Sequence, residues 1–205
     1  MSRHTRQLKI HSPLIFQFGP QHSDINISTY QHINRETLMS LTVDRIAVPT
    51  MIRTLNALKG ILQKGEDFAA SNNIEPSEVL NASLIDGMHP LKRQVQMVTD
   101  TVRRVLCQLA EQDIASVEDT EETFAELQAR IDSTLAFIDA FDKTTLTGSE
   151  DKTITLPIGD GLELDGATFL MGFALPNFYF HAATAYNILR KQGVEVGKMD
   201  FLGRP

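Results

Sequence analysis

Apolar residues recur at helical spacing in four long stretches of the chain, and in one short stretch the period drops to two. From Leu41 to about Ala70, Val48, Ile52, Leu55 and Leu62 step by four, three and seven, with Met51 and Leu58 widening the stripe. Pro49 has no N–H to donate, which predicts a kink or local break in the first turns. Pro76 suits the first turn of a short helix over Ser77 to Leu84, stopping near Asp86-Gly87. A second long helix follows over about Pro90 to Glu111. Its Leu91, Val95, Val98, Val102, Leu106 and Leu109 form a stripe suited to a bundle. The third begins after SVEDTEET, with Asp119 or Thr120 as N-cap and Glu121 and Glu122 in the first turn, where the helix dipole favours negative charge. Phe124, Leu127, Ile131, Leu135 and Ile138 are its apolar face, ending near Asp142. Consecutive carboxylates at such a helix start read as capping and solvated charge rather than as an acid–base or metal site.

Between Thr144 and Asp165, Ile154, Leu156 and Ile158 alternate with Thr153, Thr155 and Pro157, Gly159-Asp160-Gly161 makes a turn, and Leu162-Glu163-Leu164 follows. This predicts a small β-hairpin. Two strands alone are marginal, so the hairpin is expected to pack on the helices and cover one mouth of the bundle. The last long helix spans Asp165 to Arg190. The pattern therefore predicts an all-α fold, a four-helix bundle with a β-hairpin between the third and fourth long helices.

The last helix carries polar residues on its expected core stripe. Leu170, Phe173, Asn177, Phe180, Thr184 and Ile188 step by three or four, and His181 lies within one turn of both Asn177 and Thr184. Pro176 crowds the carbonyl of Gly172 and predicts a kink there. Gln94, flanking the stripe of the second helix, is able to face this group. One reading is a small-molecule pocket of Gln94, Asn177, His181 and Thr184, with His181 as a base or metal ligand. The other is a buried polar network in which His181 only forms hydrogen bonds. Beyond residue 38, His89 is the sole second imidazole, fewer than the three protein ligands a metal site normally needs.

Composition narrows the function classes. A 205-residue chain with 42% hydrophobic residues is long enough for one domain with a full core. A net charge of -7 argues against nucleic acid or an anionic membrane as partner, and Lys92, Arg93, Arg103 and Arg104 are too few to reverse that. No apolar run approaches the ~20 residues of a membrane span. The single cysteine, Cys107, suits a reducing compartment, so a cytoplasmic location is expected; the residue itself reads as a buried inert thiol, although Arg103 stands one turn away. Residues 1–38 hold four of the six histidines and no sustained periodicity, and are expected to be a disordered extension before a domain over 39–205. Their mildly basic start only faintly suggests an organelle presequence. P-loop, nucleophile-elbow, G-x-G-x-x-G and paired-cysteine zinc signatures are absent.

The segments MHPLKRQVQMVTDTVRRVL, VEDTEETFAELQARIDSTLAFI, ITLP and FALPNFYFHAATAYNILRKQGVEVGKMDFLG resemble the domain-of-unknown-function family nineteen-ninety-three, over about Leu41 to Gly203. LPNFYFH and GKMDFLG are the most specific parts. The resemblance implies that the domain begins near Met39 and has a fold similar to the DinB/YfiT-like metalloenzymes. Those are four-helix bundles, often homodimers, some binding a divalent metal through three histidines and acting as thiol-dependent transferases or hydrolases. They take one histidine from the second helix and two, spaced H-x-x-x-H, from the fourth. Here His181 fits one fourth-helix place, but Asn177 and Ala185 stand four residues away, and Gln94 or Gln96 occupies the second helix. The resemblance implies a homodimer, for which Phe178, Tyr179 and Phe201 offer apolar surface. It leaves two functions open: small-molecule binding or a structural role, or a metal- or thiol-dependent transferase or hydrolase with a reduced site around His181.

Overall fold

A computed structural model describes residues 42–203. The extension expected over 1–38 lies outside them. Helix α1, Val43–Asn72, runs unbroken through Pro49, whose ring is exposed near the helix start, so one missing donor does not interrupt the helix there. Asn73 ends it in the left-handed region at φ 55°, and the Ile74 N–H donates to the Ala69 carbonyl at 2.9 Å. Helix α2, Pro76–Leu80, is shorter than the expected 77–84. Asn81 closes it by donating from its side chain to the Ser77 carbonyl at 2.8 Å. The Leu91 N–H then draws Ala82 towards the start of the next helix at 2.9 Å.

Helix α3, Leu91–Leu109, buries all six predicted stripe residues completely. Helix α4, Phe124–Ala140, is capped by Thr123, not by Asp119 or Thr120. The Thr123 hydroxyl accepts from the Glu126 N–H and the Glu126 carboxylate accepts from the Thr123 N–H, a reciprocal arrangement that the sequence offers one turn later than expected.

Strands β1, Thr153–Leu156, and β2, Leu162–Asp165, pair antiparallel with Thr153 opposite Asp165 and Leu156 opposite Leu162. Ile154 and Leu156 point into the core, whereas Ile158 falls beyond β1 and stands exposed. The hairpin is seated at Gly166, where a Cβ atom would stand 1.8 Å from the Ser149 carbonyl oxygen, so only glycine fits this approach.

From Gly166 the chain is helical to Gln192 in three pieces. These are a turn α5, Gly166–Thr168, a π-helical segment over Phe169–Ala174, and helix α6, Leu175–Gln192. The irregularity expected at Gly172 and Pro176 takes the form of this wider turn, which meets the proline's missing donor without ending the helix. It also changes the phase of the stripe. The buried residues of α6 include Phe178, His181, Ala182, Ala185, Ile188 and Leu189, while the expected core residues Phe173 and Phe180 are 37% and 55% exposed.

The four long helices form a ring, with α1 and α3 each bordering both α4 and α6. The core fills this square with Leu55, Leu62, Val98, Leu106, Ile131, Phe178 and Ile188. After α6, Gly193 at φ 100° turns the chain back, and a last turn α7, Lys198–Phe201, lies on α1. Asp200 accepts from the Gly197 N–H at 2.7 Å and pairs with Lys64 of α1 at 2.6 Å. Gly203, at φ 64°, closes against Arg53 and Ala57. These contacts account for the GKMDFLG motif as a clasp. Phe178 is fully buried and so is not the surplus apolar surface expected of it, whereas Tyr179 and Phe201 pack partly buried against the core. Among the described residues no helix is long and apolar enough to cross a membrane.

Candidate functional site

The α3/α6 seam holds the predicted polar residues, but divides them. His181 is 6% exposed and Gln94 1% exposed, and the His181 Nδ1 lies 2.8 Å from the Gln94 Oε1. The Gln94 Nε2 donates to the His89 carbonyl at 3.0 Å, which aims Oε1 at the imidazole. The reverse orientation would set two carbonyl oxygens against each other. His181 Nδ1 therefore carries the proton, and Nε2 is left as an acceptor with no hydrogen-bond partner among the described residues. Burial holds the His181 pKa below the ordinary histidine value, and the nearby charges of His89 and Arg93 lower it further. The group is thus a neutral imidazole with a fixed tautomer and an open basic nitrogen.

Asn177 does not join this pair. It is half-buried and donates to the Thr101 hydroxyl at 3.1 Å, which in turn donates to the Met97 carbonyl at 2.7 Å. Thr184, though buried, donates back to the Phe180 carbonyl of its own helix at 2.7 Å. The phase set by the π-helical turn puts His181 at the centre of the buried face and Asn177 at its margin. A cavity of about 160 Å³ opens beside Asn177, lined also by Met97, Thr101, Arg104 and Phe173. His181 and Gln94 lie outside its lining, so the four residues expected to share one pocket do not share this one.

Arg130, which the sequence reading passed over, is the hub of a second polar cluster. Its side chain is 3% exposed. It donates to the Thr99 hydroxyl at 2.8 Å, the Glu118 carbonyl at 2.9 Å, Glu121 at 2.9 Å and Asp100 at 2.6 Å, and pairs with Asp119 at 3.1 Å. The Gln96 amide donates to Glu121 at 2.8 Å. Burial pushes the Glu121 carboxyl up, but the hydrogen bonds from Arg130 and Gln96 outweigh it and leave the pKa below the ordinary value. The acidic run is therefore not simply solvated: Glu121 is buried, and Asp119 is held by Arg93 and Arg130. An arginine beside Ile131 on an otherwise apolar face, together with a preceding acidic run, was the available signal. Cys107 is 5% exposed, and burial raises its thiol pKa against the opposing effect of Arg103, as expected of an inert thiol.

The donor set does not fit a three-histidine metal centre. His181 has an amide for its α3 partner, and the described residues contain no cluster of three histidine, cysteine, aspartate or glutamate side chains able to hold a metal.

The model of the family described as Domain of unknown function (DUF1993) matches residues 44–202. A DinB family member protein from Shewanella denitrificans is similar in structure, with a TM-score of 0.73 and 36% sequence identity over 78% of this chain and 90% of that one. No curated protein matches the chain.

Proposed function

From the premise that this chain belongs to the DUF1993 family, with a DinB-like helical fold, we propose that it is a small-molecule-binding protein whose site lies at the α3/α6 seam. The observation that carries this reading is the His181–Gln94 pair, a buried imidazole oriented by an amide that is itself fixed to the His89 carbonyl. The pair fixes the tautomer and leaves Nε2 free of any protein hydrogen bond among the described residues, an acceptor available to a ligand. Asn177 and Thr101, which line the neighbouring cavity of the same seam, are the remaining polar groups of the site. A two-dimensional NMR screen of the full chain against carboxylates, amines, sugars and nucleosides tests it. Perturbations gathered on His181, Asn177 and Thr101, and weakened in His181→Ala, support it. Perturbations scattered over the surface overturn it.

The same imidazole supports a second reading, a transferase or hydrolase with a reduced site in which Nε2 is the base and Gln94 the orienting group. Stoichiometric zinc, nickel or iron in purified protein, lost in His181→Ala, would favour that reading over binding alone. A homodimer in the cytoplasm completes the proposal. It rests on the family and on the single buried thiol rather than on Phe178, which is inside the bundle. A monomeric mass by light scattering at micromolar concentration would remove the dimer.

A further inference from the structure

A cavity of about 680 Å³ lies on the outer side of α3, where the α3–α4 connection and the residues following β1 overhang the helix. It shares Asp100, Arg104 and Phe173 with the smaller cavity beside Asn177, so the two are neighbours. Four of the nine large apolar side chains that stand exposed among the described residues meet around it: Ile114, Val117, Ile158 and Phe173.

The charges of the wall are nearly all committed. Asp100 is paired with Arg130, and Asp119 with Arg130 and Arg93. Arg103 donates to Ser133 at 3.0 Å and lies 4.8 Å over the Phe137 ring. Arg104 is different: it is exposed and has neither an ion pair nor a hydrogen bond among the described residues. Gln108 follows it by four residues, on the same face of α3 and in the same wall. Its amide is likewise unengaged among the described residues, with Oε1 buried and unpartnered. A guanidinium and an amide one helical turn apart are within reach of a single carboxylate, to which the guanidinium and the amide Nε2 can both donate.

We infer that this cavity binds an apolar monocarboxylate, its carboxylate held by Arg104 and Gln108 and its hydrocarbon body laid against Ile158, Val117 and Phe173. The inference rests on the small-molecule reading above and gives it a ligand class. The four exposed apolar side chains provide the desolvated wall that a hydrocarbon requires. With Asp100 and Asp119 already neutralised by arginines, the excess charge at this wall is positive although the chain as a whole is acidic.

The test is an NMR titration of the full chain with sodium octanoate, and with octanol and octylammonium as neutral and cationic counterparts. Octanoate is expected to saturate at one equivalent per chain, moving the side-chain resonances of Arg104 and Gln108 and the amide of Ile158. Arg104→Gln is expected to weaken it by about tenfold, the size of one charge-assisted contact. Ile158→Ser should weaken it as well, and Arg45→Gln, on the exposed side of α1, should leave it unchanged. Octanoate bound no more tightly than octylammonium, or equally by Arg104→Gln, overturns the ligand class while leaving a small-molecule site standing. No saturable binding by any of the three, together with a failed screen at the seam, overturns both.

Discussion

Replacing Arg130 with methionine removes the one cation that serves Thr99, the Glu118 carbonyl, Glu121 and Asp100 at once. The methionine fills much of the space but leaves Glu121, only 9% exposed, without its ionic partner. Breaking a buried pair from one side costs about 3–5 kcal/mol. Domains of this size have about 5–15 kcal/mol in total, so the variant should fold with a large part of its stability gone. The comparison that isolates the network is a double-mutant cycle with Glu121→Gln, which removes the charge and keeps a hydrogen-bonding side chain. The two losses should be strongly non-additive, with a coupling of about 2 kcal/mol, because once the arginine is gone a neutral amide is easier to bury than a carboxylate. Urea unfolding at neutral pH measures all four forms. A loss below about 1 kcal/mol for Arg130→Met, or additive single effects, would refute the view that this cluster pins the α3–α4 connection.

Gly166→Ala should cost more than about 3 kcal/mol, because the new methyl would stand 1.8 Å from the backbone oxygen of Ser149 and backbone cannot swing aside as a side chain can. Urea denaturation checks this, and a near-neutral result would show that the hairpin is not seated on that contact. His181 should make stability depend on pH. The unfolded chain takes up a proton near the ordinary value of about 6.5, whereas burial resists protonation in the folded state, so stability is full above that value and falls as acid is added through the window down to the lowered folded pKa. The difference in stability between wild type and His181→Gln, followed from pH 8 to 5, should move against the wild type, and the opposite trend would refute a neutral buried imidazole.

The bundle was legible because its signal is periodic and redundant. Six apolar positions of α3 at steps of three and four leave one face possible, and all six are buried. The last helix shows where that logic stops. Counting by three and four assumes 3.6 residues per turn throughout, and the π-helical turn over Phe169–Ala174 breaks the count, carrying Phe173 and Phe180 outside and centring His181 instead of Asn177. The pairing of His181 with Gln94 was within reach because both flank stripes that must meet. The Arg130 cluster offered a weaker signal, an arginine beside an apolar stripe, since its partners come from α3 and from an extended connection with no periodic pattern of its own. Likewise, no local rule says that Arg104 would be left without a counter-charge while its neighbours are paired.

The central claim concerns one imidazole, and two-bond proton–nitrogen correlation spectra of His181 at neutral pH test it directly. The account predicts a neutral ring with Nδ1 protonated and Nε2 bare, and loss of that fixed tautomer in Gln94→Leu, where the orienting oxygen is gone. A wild-type ring protonated on Nε2, or charged on both nitrogens, would contradict it.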